Sequence, residues 1–138
     1  MLKYHWVTLI VLCCLPTLVQ AQNSSDRYTL QERCGKQAAT TFKSDWGGNI
    51  SNTDKGQVIA NYENHYSERL NKCFYLEISE TFEKGKSESF KLFRLYDINE
   101  DKEYATYMSG APLHCVVDEE ICHSEQEFKQ LIKQFMEN

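Results

Sequence analysis

Four cysteines, Cys34, Cys73, Cys115 and Cys122, stand downstream of an apolar leader, and the pair of features restricts the fold more than anything else in the chain. The leader decides what the cysteines do. Met1 to Trp6 holds one Lys and no acid, Val7 to Val19 is an almost unbroken apolar run, and it closes on Val19-Gln20-Ala21. That order of charge, apolar core and small residue is a secretory signal peptide over residues 1–21, with cleavage expected after Ala21. The 13 residues of the run are fewer than the ~20 a helix needs to cross a bilayer, so no stable membrane insertion is expected after cleavage. Cys13 and Cys14 follow Leu12 and Cys13, where lipid attachment calls for a small residue, and they leave with the leader.

An exported chain meets an oxidising compartment, where an even number of cysteines reads as disulfides. Three pairings are open. Nearness favours Cys115 with Cys122 and leaves Cys34 with Cys73. In the chain-entropy picture a loop of ~40 residues is worth about 4 kcal/mol and one of ~8 residues about 2.5, which makes the long bridge the main staple.

The expected mature chain, residues 22–138, is 117 residues long and fits a single domain. Loss of Lys3 leaves 14 basic against 20 acidic side chains, a formal charge of −6 that disfavours a nucleic-acid partner.

Periodicity supplies an α+β outline. Leu30, Cys34, Ala38, Phe42 and Trp46 recur every four residues, Thr29 and Glu32 have capping-box spacing, and Gly47-Gly48 is a stop; a helix is predicted over 30–45. Gly35 is costly in a helix and points to close approach of a partner beside Cys34. Residues 49–56 read as a polar loop. Residues 58–66 fit a strand better than the helix that Val58, Tyr62 and Tyr66 also allow. Phe74, Leu76, Ile78 and Phe82 alternate with Cys73, Tyr75, Glu77, Ser79 and Thr81 as a half-buried strand does, so Cys73 points away from the Phe74 face, and a first helix bonded to it through Cys34 either covers the Tyr75 face or crosses the sheet at its edge. Residues 90–98 are apolar on both parities, as in a central strand covered on both sides, and 103–108 returns as a strand. Ser124 and Glu127 form a second capping box ahead of Phe128, Leu131, Ile132 and Phe135, the i, i+3, i+4, i+7 stripe of an amphipathic helix. The predicted order is helix, antiparallel meander of about four strands, disulfide-closed turn, helix.

No motif identifies a reaction, so no catalytic residue, cofactor or metal is assigned. His114-Cys115 and Cys122-His123 could hold zinc in principle, but the spacing is wide and export favours oxidation. Asp97, Asn99, Asp101 and Glu103 alternate like the opening of a calcium loop, yet Lys102 and Met108 replace its Gly and final Glu, and plain turn residues explain the run. His65 has no nucleophile or orienting partner nominated beside it. Tyr62, Tyr66, Tyr75 and Tyr104 are expected on one sheet face: if open, it would suit protein or sugar recognition, and otherwise they pack beneath the first helix. Asn23-Ser24-Ser25 and Asn49-Ile50-Ser51 match the glycosylation sequon.

Tyr62-Glu63-Asn64-His65-Tyr66, Leu70-Asn71-Lys72-Cys73-Phe74, the run from Leu95 to Tyr104 and the closing Cys115 and Cys122 together resemble a group of small, exported, uncharacterised bacterial proteins. The resemblance implies a periplasmic or secreted setting, in which the sequons are not used, and it brings no functional residue with it. A second likeness is to periplasmic lysozyme inhibitors with a Ser-Gly-x-x-Tyr loop; Ser109-Gly110-Ala111-Pro112 begins that pattern and Leu113 stands at the Tyr position. The reading is an exported, non-enzymatic protein that binds another protein or a cell-envelope ligand. A small periplasmic hydrolase, a calcium-dependent module and a lysozyme-inhibitor-like protein are the alternatives.

Overall fold

The computed structural model describes residues 17–137. The expected leader therefore falls mostly outside the described residues; only residues 17–21 are included, as the start of the first helix. That helix, α1 (Thr17–Trp46), is followed by β1 (Ile50–Thr53), β2 (Gly56–Ser67), β3 (Lys72–Glu83), β4 (Phe90–Asp97), β5 (Lys102–Met108), β6 (His114–Val117), β7 (Glu120–Ile121), α2 (Glu125–Leu131) and α3 (Lys133–Met136). The strands form one antiparallel sheet in sequential order β1 to β7. The class is α+β as expected, with seven strands where about four were predicted. Among the described residues no helix is long and apolar enough to cross a membrane.

The strands that sequence reading missed are short pieces at the two ends of the sheet. β1 is exposed at every position and pairs Ile50 with Ile59 through Thr53 with Gly56, so it has no buried face to generate alternation. Gly56 closes that hairpin at φ 157°, and a Cβ there would meet the Phe82 carbonyl oxygen at 2.0 Å. β6 and β7 form a tight hairpin around the predicted disulfide-closed turn, with the Cys122 N–H donating to the Cys115 carbonyl. The β2–β3, β4–β5 and β6–β7 reversals use Asn71, Asp101 and Asp118 at positive φ, residue types that tolerate the left-handed region. Residues 58–66 are strand, inside a β2–β3 ladder that runs from Gly56 with Glu83 to Ser67 with Lys72.

α1 begins upstream of its predicted start, because Thr29 is not used as a cap. Its hydroxyl donates to the Ser25 carbonyl one turn back (3.0 Å) and Glu32 pairs with Lys36, so the helix runs through the site. It ends as expected at Gly47 (φ 66°), whose N–H donates to the Lys43 carbonyl. Cys34, Ala38 and Phe42 are buried against β2 and β3 with Leu30 and Trp46 at the ends of the stripe.

The opposite sheet face carries the larger core. Phe74 and Leu76 of β3, Phe93 and Leu95 of β4, Ala105 and Tyr107 of β5 and Val117 of β6 pack with Phe128, Ile132 and Phe135. Phe128 contacts the rings of Phe93 and Tyr107, and Phe135 those of Phe74 and Tyr104. Burying a Phe or Leu is worth about 1.5–3 kcal/mol, so this layer is the main source of cohesion. The predicted cap is present, Ser124 Oγ accepting from Glu127 N (3.1 Å), while Glu127 Oε2 accepts from His123 N (2.7 Å). The single predicted helix is divided at Ile132 into α2 and α3.

Two parity expectations need correction. Phe82 was expected on the covered face of β3 but stays outside the core cluster and is 41 % exposed. Tyr104 lies on the α2–α3 face and not with the other tyrosines, because the β4–β5 register shifts between Leu95 and Tyr96 and turns Tyr104 towards Phe74.

Candidate ligand-binding cleft beside the first helix

The strand period places Tyr75 and Glu77 of β3 on the α1 face, and the β3–β4 register sets Tyr96 and Arg94 directly opposite them. α1 lies over β2 and part of β3, so the neighbouring stretch of β4 is left beside the helix as the wall of a cleft of about 280 Å³. Thr41 and Asp45 of α1, together with Ile98 and Asp101 beyond β4, complete its lining.

Glu77 is 3 % exposed, and both its carboxylate oxygens are engaged. Arg94 donates to Oε1 from Nη2 (2.6 Å) and Nε (3.0 Å), and the Trp46 indole N–H donates to Oε2 (3.1 Å). The Arg94 guanidinium lies 5.4 Å from the Tyr96 ring centroid, a cation–π distance. Tyr75 stacks on Tyr62, which packs on Phe42 of α1. The Tyr75 hydroxyl, in contrast, is buried with no hydrogen-bond partner among the described residues. Leaving such a group unpaired costs about 1–3 kcal/mol. Burial pushes the Tyr75 phenol well above the usual tyrosine range, with Glu77 and Asp45 adding to the effect and Arg94 opposing it. Burial likewise pushes Tyr96 up to about 12, against Arg94 and with Glu103. Both phenols hold their protons at neutral pH and can donate. The arrangement offers hydrogen-bond donors, acceptors and aromatic surface in one cleft.

Cys34 and Cys73 are at disulfide distance (S–S 2.05 Å, Cα–Cα 5.4 Å), and Cys115 and Cys122 likewise (Cα–Cα 5.0 Å). The first pair ties α1 to β3 two residues before Tyr75, which fixes the helix beside the cleft. With Cys115 and Cys122 joined to each other, the exposed His114 and His123 flank a bridge and not a thiolate pair. Among the described residues no group of three His, Cys, Asp or Glu is placed to hold a metal ion.

The calcium-like turn has its first carboxylate otherwise committed. Asp97 is 1 % exposed, pairs with Lys72 Nζ (2.7 Å) and accepts from the Asn99 N–H (3.0 Å), while Lys72 also reaches Glu100 (2.7 Å). His65 stands opposite Phe74 in the β2–β3 register, on the α2–α3 face, so it does not join the cleft. The Ser109 hydroxyl accepts from the Lys91 N–H (2.7 Å), which ties the start of the Ser-Gly loop to β4. Tyr62, Tyr66 and Tyr75 lie beneath α1, and only part of that face remains open.

A second cleft of about 360 Å³ lies between the sheet and the α2–α3 pair. Its lining joins Leu76, Ile78, Phe93, Phe128 and Ile132 of the core layer to the charged Glu63, Lys129, Lys133 and Glu137. Among the described residues none of its lining side chains holds a buried polar atom without a partner, whereas Tyr75 of the α1 cleft does, so the α1 cleft is the better candidate.

Sequence reading did not nominate Glu77, Arg94, Tyr96 or Trp46. The signal available was parity: Glu77 falls among residues assigned to the helix-covered face, and Arg94 sits in a strand expected to be covered on both sides. Two opposite charges at inward positions of adjacent strands are a candidate pair. Comparisons with protein-family models, with curated proteins and with solved structures find no match for the chain.

Proposed function

We propose that the chain is an exported, non-enzymatic binding protein of the cell envelope or its surroundings, and that the cleft between α1 and the β3–β4 pair takes its ligand. The observation that carries this reading is the Glu77–Arg94–Trp46 cluster at an open cleft. An ion pair with one nearly buried partner contributes little to stability compared with apolar residues of similar volume. Its presence beside an opening is better accounted for by recognition than by folding. Because Arg94 and Trp46 occupy both Glu77 oxygens, that carboxylate is poorly placed to act as a general base, which favours binding over hydrolysis.

Export is supported by the leader and by the two cysteine pairs, which suit an oxidising compartment. The resemblance to small exported bacterial proteins agrees with it.

The test combines location and binding. Fractionation with N-terminal sequencing should place the protein outside the cytoplasm with Gln22 first. A panel of sugars, amino acids, nucleosides and short peptides should contain a compound that raises the melting temperature of the wild type and not that of the Glu77→Leu/Arg94→Leu double variant. Turnover of a glycoside, ester or amide, or equal responses of the two proteins to every compound, would contradict the reading.

A further inference from the structure

We propose that the α1 cleft recognises an uncharged, hydroxyl-rich ring, that is, a neutral saccharide residue, with the buried Tyr75 hydroxyl and Arg94 as donors to it. This rests on the binding reading above and adds the ligand's chemical class. Three properties of the cleft select that class.

The first is the unpartnered hydroxyl. Tyr75 is 1 % exposed and lines the cleft, and the charged side chains that act on its phenol include Glu77, Asp45 and Arg94, all three of which also line it. Buried polar groups in native proteins are nearly always paired, so a hydroxyl left without a partner on a residue that lines an opening can donate to a group that enters.

The second is charge. Glu77 and Arg94 neutralise each other, which leaves Asp45 and Asp101 to repel phosphates, sulfates and uronic acids. Asp45 and Asp101 attract a cation, but an ammonium group offers no acceptor to the Arg94 N–H groups or the Tyr75 hydroxyl and so leaves the donors of the cleft unpaired. A neutral ligand remains.

The third is size and polarity. At about 280 Å³ the cleft falls just below the ~300–1,000 Å³ of sites that enclose whole drug-sized ligands, which is room for one ring with its substituents. Glu77 uses two of the guanidinium N–H groups of Arg94, and an arginine has five, so donors remain for a ligand. With the acceptors of Asp45 and Asp101, the lining matches a ring that has hydroxyls at its edge to accept and to donate.

The experiment is an NMR titration of the intact mature protein with methyl glucoside, N-acetylglucosamine, glucuronate and cyclohexylamine, following the Arg94 Nε–H and Trp46 Nε1–H resonances. A neutral sugar should shift both with a millimolar Kd, and glucuronate should bind at least about tenfold more weakly. Tyr75→Phe should weaken the sugar about tenfold, the loss of one hydrogen bond, while its melting temperature is equal to or above that of the wild type. A hydroxyl with a purely structural role would lower the melting temperature of that variant and leave sugar binding unchanged, which would overturn the proposal. If cyclohexylamine or glucuronate binds in a Tyr75-dependent way and neither neutral sugar does, the saccharide assignment fails while the cleft stays a binding site. If no probe binds with dependence on Tyr75 or Arg94, the assignment and the broader reading both fail.

Discussion

Arg94 stands directly across the β3–β4 ladder from Glu77 and holds one of its oxygens with two hydrogen bonds, on a sheet face that is otherwise largely aromatic. The relationship is one-sided in exposure, with the Glu77 side chain 4 % exposed and that of Arg94 37 %. Arg94→Leu therefore strands a buried carboxylate that keeps only the Trp46 indole N–H. Breaking a buried pair costs ~3–5 kcal/mol, and with one partner partly solvated a loss near 3 is expected by chemical denaturation. The Glu77→Leu/Arg94→Leu double variant should recover most of that loss. Equal destabilisation of the single and double variants would mean that the pair is not coupled as described.

Gly35 was expected to mark a close approach beside Cys34, and the structure gives it more room. A Cβ at that position would meet nothing nearer than Asn64 Nδ2 at 3.7 Å, an ordinary contact, within helical backbone. Gly35→Ala should accordingly stabilise the protein by about 0.5–1 kcal/mol through helix propensity and a less flexible unfolded chain. A lower melting temperature for this variant would show that α1 sits closer to β2 than described.

Stability should be level near neutral pH and fall at both extremes. Tyr96 is pushed by burial from 10.0 up to about 12, and Tyr75 is raised for the same leading reason. Hydrogen bonds to Asp97 and then Glu100 raise the Lys72 ammonium. All three bind their protons more tightly folded than unfolded, so their contribution is complete below about pH 10 and is lost as pH rises through the folded values. Glu125 moves the other way: Lys129 and Lys91 hold it below 4.5, and its contribution is present above that value and lost as pH falls. Melting curves from pH 8 upward should show a shallower alkaline decline for Tyr96→Phe than for the wild type. Identical slopes would remove Tyr96 from the account.

The terminal helices belong to the core. Phe128 is fully buried against Phe93 and Tyr107, whereas Lys129 is exposed and pairs with Glu125 one turn back. Phe128→Ala should cost about 3–5 kcal/mol. Lys129→Ala should cost only a few tenths, since an exposed i,i+4 pair is worth ~0.3–0.5. Comparable losses for the two variants in thermal unfolding would contradict this layer arrangement.

Much of the architecture could be read from residues whose burial imposes a period. Cys34, Ala38 and Phe42 spell out the buried stripe of α1, and Phe74, Leu76 and Ile78 the core parity of β3. β1 escaped notice because all four of its residues are exposed and nothing selects their order. The early start of α1 escaped because Thr29 has cap chemistry but back-bonds to Ser25 instead. Tyr104 was assigned to the wrong face because a bulge breaks strict alternation. The cleft was the least legible part. Its residues come from α1, β3 and β4, and the feature that singles it out, a phenol without a partner, appears only when every neighbour is in place.

The central claim, that the opening between α1 and the β3–β4 pair is the ligand site, is tested most directly by a crystal structure of the mature protein soaked with methyl glucoside. The account predicts one sugar ring in that cleft, with a hydroxyl within hydrogen-bond distance of Tyr75 and another at Arg94. A ring found only in the apolar cleft between the sheet and the α2–α3 pair, or an α1 cleft left empty at saturating sugar, would contradict it.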